Sequence, residues 1–531
     1  SVPVYLSANV VANAVTAEIA AASDITAGDV SISAVNSAVV DALSINVAGT
    51  GIVAVGVPIS ANVVTNATNA SISDSTIDAG SVTVLATSEE VIRSVGVGVS
   101  ASGVVAVQVS AMGNVIVNDT LAAIEDSTIT ATGQVSVGAR DIAPSIMPDW
   151  LFTPSATINA AAAGVVDAAN DAVLVGATRW RTGDAVVYDN GGGASIGGLV
   201  SGRTYYVILD NSDPNAIKLA ASLEDAKNGV AVNLSGGATG TRHTLVNTTV
   251  GGDQDLSGNI VSVMVSVAGT GGVAVNGAVV GNVIANSVAA EISNSDVAAD
   301  GGVSLEATSA ASILSLNVGV AGSGGVAVNA AGFGNVITDA TSATISDHST
   351  VTTVSGGVSL NAEDDSIIRS AAVSVAGTGG IAAGALIGAN VVANDTVAEI
   401  SGSKVDSGST LALAATGNAD ILGLSVGVAG AGGGAGLLSL TAAVIANTTR
   451  AAVSGKVEDD DSITQSDIDA NGAVTLSARD NSEINTLAIG VSAAGGGALG
   501  AAAVANVIAN VTEAEIRSEE HTSELQSLAY L

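Results

Sequence analysis

The sequence predicts an all-β chain: a parallel β-solenoid (β-helix) of repeats about 53 residues long, with a separate small β-rich inserted domain. Three observations predict it. A twelve-residue phrase returns along the chain, as "ANVVANAVTAEI" from Ala8, "ANVVTNATNASI" from Ala61, "GNVIANSVAAEI" from Gly281 and "ANVVANDTVAEI" from Ala389. Between the phrases runs short alternation of Val, Ser, Leu and Ala, punctuated by Gly, Asn, Asp and Ser, which is the period-two signature of strands. Helix formers are scarce: Val, Ile, Thr and Asn crowd the Ala-rich phrases, where Leu, Lys, Gln and Arg are few.

Composition limits the function classes. The 531 residues are 48% apolar, too apolar for disorder, and carry 14 Lys plus Arg against 49 Asp plus Glu, a net charge of −35. Phosphate binding needs clustered cations, so no nucleic acid partner is expected, nor an anionic membrane. The absence of Cys excludes a disulfide scaffold and a Cys-ligated zinc site. The longest apolar candidates, such as Ala493 to Val511, are Ala/Gly-rich and broken by Asn, so no membrane insertion is predicted. Ser1 opens no signal peptide, so any export signal is expected outside this sequence, which reads as a fragment. The tail 517–531 opens on "RSEEHTSELQS", which resembles a translated sequencing-library adapter and is set aside as an artefact.

The first block, 1–143, and the block 250–516 share the repeat. Its marker residues are Asn9, Asn62, Asn114, Asn282, Asn335, Asn390 and Asn506, with Ala443 standing in once, at steps of 53, 52, 168, 53, 55, 53 and 63. The step of 168 hides an insertion. Stacking the units would set equivalent residues above one another about 4.8 Å apart, so the marker amides can bond up the stack as a structural ladder. Asn13, Asn66, Asn118, Asn286, Asn394, Asn447 and Asn510 form a second expected ladder. "AGTGG" at Ala268 and Ala376, with "AGSGG" at Ala321, is expected to make a hairpin or a sharp solenoid corner in which Gly takes positive φ. A dinucleotide fingerprint fails there because no helix pattern follows. The period leaves open whether a unit makes one large coil or two small ones.

Between 144 and 249 the text changes. Four of the six Pro, six of the nine aromatics and six of the 14 basic residues fall there. Strands are expected near Ala185 to Tyr188, Thr204 to Leu209 and Ala216 to Ala220, with turns at "DNGGG" and "NSDPN". The stretch around "TGDAVVYD", "GGLVSGRTYYV" and "IKLA" resembles a small β-rich module found in giant bacterial surface proteins and phage-tail components, which implies a folded outboard unit and no reaction. Trp180, Tyr205 and Tyr206, beside Arg203, are candidate carbohydrate contacts, because flat aromatics stack on sugar faces; ordinary core use is the competing reading.

No catalytic residue is predicted. His243 and His348 lack a Ser or Cys partner in any nucleophilic order. "SEEVIRS" (Ser88 to Ser94) and "EDDSIIRS" (Glu363 to Ser370) are the fairest candidates for paired-carboxylate work, yet they align by repeat, Arg93 with Arg369, and read as exposed corner charges that block edge association. Calcium is the one cofactor considered: Asp459, Asp461, Asp467 and Asp469 gather near "DIDANG", but Ala478 stands where a calcium loop needs Glu.

Over about 400 residues outside the insertion the period and phrases resemble the repeat region of giant secreted bacterial exoproteins and adhesins, leukotoxin-like and filamentous-haemagglutinin-like. The resemblance implies an extracellular or cell-surface stalk that displays an outboard module to a host or environmental surface, glycans included. Two alternatives are carried forward: a polysaccharide-binding or polysaccharide-degrading solenoid, and a segment of a secreted cytotoxin.

Overall fold

A computed structural model describes the chain except residues 1, 22, 145–154, 163, 177–179, 181, 210–214, 228, 237, 241, 248–257, 458–461 and 518–531. It divides into two units, 1–143 with 258–531, and 144–257. The solenoid thus resumes at Gly258, where the composition had placed the boundary at 250.

The first unit is a parallel β-solenoid, and each repeat makes one large coil. A representative coil runs Val273–Ile284, Ser287–Ser293, Asp296–Ala299 and Val303–Ser323. Each strand pairs in parallel with its equivalents one repeat away, so Asn282 lies over Asn335, and Val318 over Val373. Ser81–Ser102, Val303–Ser323 and their equivalents form one long sheet, of eight strands in seven rungs, because Val135–Ile142 and Ile260–Thr270 lie end to end between Ser81–Ser102 and Val303–Ser323. The insertion therefore leaves the solenoid from the middle of a strand, and register is kept on both sides of it.

Every coil has two differently built halves. In the base, inward positions such as Val288, Ile292, Val297, Val303 and Leu305 are aliphatic and buried, and join a core that runs through all the coils. Outward positions there are mostly Ser, Thr, Asp, Glu and Ala, the ordinary arrangement for a wet sheet face. In the arm, which runs from Ile313 to the glycine corner and back to Ile337, the pattern inverts. Inward residues are mostly small or polar, as at Ser315, Asn317, Gly319, Ala321, Ala327, Asn329 and Asn335, with Phe333 the large exception in this coil. Outward ones are mostly aliphatic or Gly. The middle outward column of the long sheet reads Ile45, Val97, Val265, Val318, Val373, Val426 and Ile489, and the columns two residues to either side are Val, Leu or Ile at every rung except Ala371.

The glycine corners are arches, since the strands on either side belong to different sheets and do not pair with each other. Nor is positive φ the reason for Gly there. Successive coils approach so closely that a Cβ on Gly324 would lie 2.3 Å from the carbonyl oxygen of Gly271, and one on Gly380 2.1 Å from that of Gly325. Positive φ appears instead at the opposite turn, where Asp74, Asp126 and Asn294 hold equivalent places and Gly402 takes the same role. Beside that turn an unforeseen Ser column links the coils: the backbone N–H of Ser75 donates to Ser127 Oγ at 3.1 Å, and that of Ser127 to Ser295 Oγ at 3.0 Å.

The second unit holds an antiparallel seven-stranded sheet in the order Ser155–Ile158, His243–Asn247, Ala185–Asp189, Thr204–Leu209, Ala216–Ala220, Ala172–Leu174, Val166–Asp167. All three strands expected from its sequence are present. The "DNGGG" turn has Gly191 and Gly192 at φ 57° and 83°; residues 211–214 of "NSDPN" lie outside the described residues.

Candidate functional site

The marker amides form the expected ladder. Asn9 Nδ2 donates to Asn62 Oδ1 at 2.7 Å, Asn62 to Asn114 at 2.8 Å, Asn114 to Asn282 at 2.8 Å, Asn282 to Asn335 at 2.7 Å and Asn335 to Asn390 at 2.8 Å. All five bonds run in one direction. From Asn62 to Asn390 these side chains are wholly buried, so the ladder spares each the roughly 1–3 kcal/mol of an unpaired buried amide. Ala443 ends it, and hydroxyls take over: Asn390 Nδ2 turns to Ser370 Oγ at 2.9 Å, while Asn506 Oδ1 accepts from Thr486 Oγ1 at 2.7 Å.

The second column stacks differently. It lies where the chain turns between arm and base, and at every step but that from Asn66 to Asn118 the backbone N–H donates to the side-chain oxygen of the next coil, as from Asn118 to Asn286 at 3.0 Å and from Asn394 to Asn447 at 3.1 Å. Asp339 fills the place that the sequence pattern had left empty, accepting from the Asn286 N–H at 2.8 Å. The side-chain amides of Asn66, Asn118, Asn394, Asn447 and Asn510 are thereby freed to point across the coil, where they meet carboxylates. An open notch of about 550 Å³ follows the same corner, lined by residues including Asn13, Asn66, Asn118 and Asn286.

Those carboxylates correct the corner-charge reading. Glu90 and Asp364 are buried inside the solenoid. Glu90 accepts from Ser88 Oγ at 2.9 Å, Asn66 Nδ2 at 2.9 Å and Asn118 Nδ2 at 2.7 Å. Asp364 accepts from Ser366 Oγ at 3.0 Å and from the Asn394 amide. Asp339 accepts from Ser309 Oγ at 3.2 Å. Asp141, between Ser88 and Ser309 in register, is 0% exposed, and neither of its oxygens has a hydrogen-bond partner of normal geometry. Four successive rungs thus each contribute one buried acid, about 4.8 Å from the next level. Ionising all of them together is costly, because each loses water and repels its neighbours.

The pKa directions follow. Burial pushes Asp141 well above the carboxylate range; the charges of Glu90, Asp339 and Asp364 push it the same way, and the Asn118 amide opposes them. Burial raises Asp339 to about 6 against its bonds from Asn286 and Ser309. Burial also raises Glu90 against its Asn66, Ser88 and Asn118 donors, and Asp364 against Ser366 and Asn394, with Asp339 adding to the rise. Strand parity could have revealed the buried pair: Asp364 shares its face with Ile368 and Ser370, and Glu90 with Ile92 and Ser94.

The remaining candidates are not brought together. Arg93 pairs with Asp41 at 3.3 Å on the outer face, and Arg369 occupies the equivalent column. Asp459 and Asp461 lie outside the described residues, as does the adapter-like tail beyond Arg517. Asp467 and Asp469 point outward from one strand, and Asp467 faces Lys404 Nζ at 3.7 Å. Among the described residues no three acidic or His side chains are grouped to hold a metal. Trp180 and Tyr205 do not form a carbohydrate patch: they are 5% and 1% exposed, packed in the second unit's core with Val186, Tyr188 and Leu219, and Tyr206 on the other face of its strand is half-buried. A small sheet with few large side chains uses its aromatics for bulk. His243 is buried too, against Tyr188 Oη at 2.7 Å and the Thr239 carbonyl oxygen at 3.0 Å. No family model, curated protein or solved structure matches the chain.

Proposed function

We propose that this chain is a non-catalytic stalk segment of a large secreted or cell-surface bacterial adhesin, which displays the inserted unit to a host or environmental surface. The observation that carries the reading is continuity of register across the insertion. A whole folded unit leaves from mid-strand while Asp141 and Ile260 keep the pairings of an uninterrupted rung. A scaffold that carries cargo without altering its own backbone is suited to display. Its polar interior is spent on coil-to-coil bonds, which serve stiffness rather than substrate.

One feature favours a polysaccharide-degrading alternative. Glu291 is raised to about 7, first by burial and then by its hydrogen bond to Glu125, as a general acid would be. Against it, Glu18, Glu399 and Glu515 stand at the same place in the repeated phrase, which marks a shared structural duty. For the cytotoxin alternative, no described helix is long and apolar enough to cross a membrane, a statement that leaves strands aside.

The test is adhesion by the intact chain. Beads coated with it are expected to attach to glycan arrays or cell monolayers, to release no sugar from acidic or neutral polysaccharides, and to leave liposomes sealed. Sugar release or dye leakage would replace the reading with one of the alternatives, and failure to attach to any surface would remove the adhesin.

A further inference from the structure

The inverted arm leaves part of its outer face with nothing polar on it. Three adjacent columns over seven rungs of the long sheet present Val, Leu or Ile at all positions but Ala371. On the interior rungs these side chains are mostly half-buried, with Val95 and Leu424 each 38% exposed, and exposure rises to 68% at Leu43 and 54% at Leu487 on the two end rungs. Parallel register keeps the face flat, because equivalent β-branched side chains stand directly over one another. At about 6.8 Å along the strand and 4.8 Å between strands per outward residue, this plateau covers roughly 700 Å². That exceeds the roughly 300–600 Å² of the largest patch on a typical monomer, and approaches the roughly 800 Å² per partner of a standard-size interface.

We propose that the plateau is a homotypic docking surface, occupied by the same plateau of a second copy of this chain. Flat aliphatic sheet faces pack on each other at about 10 Å, the spacing of sheets in a sandwich. The column bordering the plateau on its base side forms a rim that is polar in part: it holds Asp41, Arg93, Arg369 and Asn485 together with Val261, Leu314 and Leu422, around an uncharged centre. A two-fold pairing places each rim against the other copy and closes the assembly. Lipid fits less well. The plateau has no Trp, Tyr or Lys at its margin to anchor in headgroups, and a chain of net charge −35 is repelled by anionic bilayers. The same charge opposes the copies, so salt, which screens it, strengthens the pairing.

Sedimentation of the intact chain over increasing concentration tests this. Dimers are expected, with a dissociation constant that falls as salt rises to about 0.5 M. The double variant Val318→Lys, Val426→Lys is expected to weaken pairing at least about 100-fold, whereas Thr308→Lys, outward on the base, leaves it unchanged. Should the Lys variants fail to fold, Val318→Cys keeps the shape. In a chain without other Cys, a short bismaleimide should join Val318→Cys subunits and leave Thr308→Cys subunits single. The proposal is overturned if the chain stays monomeric at about 100 μM in high salt. Association that survives the Lys variants would also overturn it, as would binding of the wild type to phosphatidylcholine vesicles as a monomer.

Discussion

The side-chain oxygen of Asn259 accepts the backbone N–H of Ser312 at 2.9 Å, while its Nδ2 donates to the carbonyl oxygen of Glu90 at 3.2 Å. Ser312 and Glu90 belong to the rungs on either side of the one that the insertion interrupts. An uninterrupted strand would supply a peptide group to each; a single buried amide side chain does so here. This makes Asn259 the suture of the solenoid. Asn259→Ala is expected to cost about 1–3 kcal/mol for each backbone group it orphans. Hydrogen exchange is the direct measurement: protection should fall in peptides covering Glu90 and Ser312 and hold in coils far from the insertion. Equal loss throughout would contradict the local role.

Ser315 and Ser370 occupy equivalent places in neighbouring coils, yet only one has a partner in the ladder. Ser370 Oγ receives the Asn390 amide that Ala443 cannot, whereas Ser315 Oγ is buried with no hydrogen-bond partner. Ser370→Ala is expected to destabilise the chain by about 1–2 kcal/mol, and Ser315→Ala to be neutral or slightly stabilising. Denaturant midpoints of the two variants, measured side by side, decide it.

Much of this fold was legible because the repeat states each residue several times over. Asn62, Asn114, Asn282 and Asn335 share one offset, and only vertical stacking satisfies so many buried amides at once. The carboxylate seam was harder to read because its members exchange places. Glu90 pairs with Ser88, Asp364 with Ser366, and in the coil between them the acid moves across to Asp339 opposite Ser309. Over these four rungs an acid is retained near one level while its sequence offset shifts, so a search for identical letters passes over it. The Asn259 suture left no signal, since an insertion has no counterpart in the repeat to align with. The plateau was hidden in plain alternation: Val-Ser-Val reads the same whichever residue faces in, and only pairing decides that Ser is inside.

Gly380 and Gly377 separate close approach from conformational freedom. A Cβ at Gly380 would stand 2.1 Å from the Gly325 carbonyl oxygen, whereas one at Gly377 meets nothing within 4 Å. Gly380→Ala must spread the stacked arches and is expected to cost about 1–3 kcal/mol. Gly377→Ala, in a strand and unobstructed, is expected to gain about 0.5–1 kcal/mol by restricting the unfolded chain. Unfolding midpoints in guanidinium test the pair, and a loss at both positions would show that backbone conformation, not crowding, demands the glycines.

Asp339 gives the solenoid a pH dependence opposite to that of salt-bridged proteins. Its folded pKa is raised from 3.8 to about 6, so the folded state holds the proton more tightly than the unfolded one. The stabilisation is fully present below 3.8 and is lost as pH rises through about 6. Asp141, Glu90 and Asp364, also raised, act with the same sign, and no cation is among the groups that act on Asp141. Thermal stability is therefore expected to increase as pH falls from neutrality towards about 4.5. Relief of surface repulsion in an acidic chain would mimic part of this, but salt at about 0.5 M screens exposed charges and leaves buried ones largely untouched. Asp339→Asn supplies the decisive comparison, because Asn already occupies that column in the neighbouring coils and its oxygen can still accept from the Asn286 N–H. In high salt the variant should be more stable than the wild type at neutral pH and lose part of the rise on acidification. A variant that melts lower at neutral pH, with the rise intact, would mean that Asp339 is ionised in the folded chain.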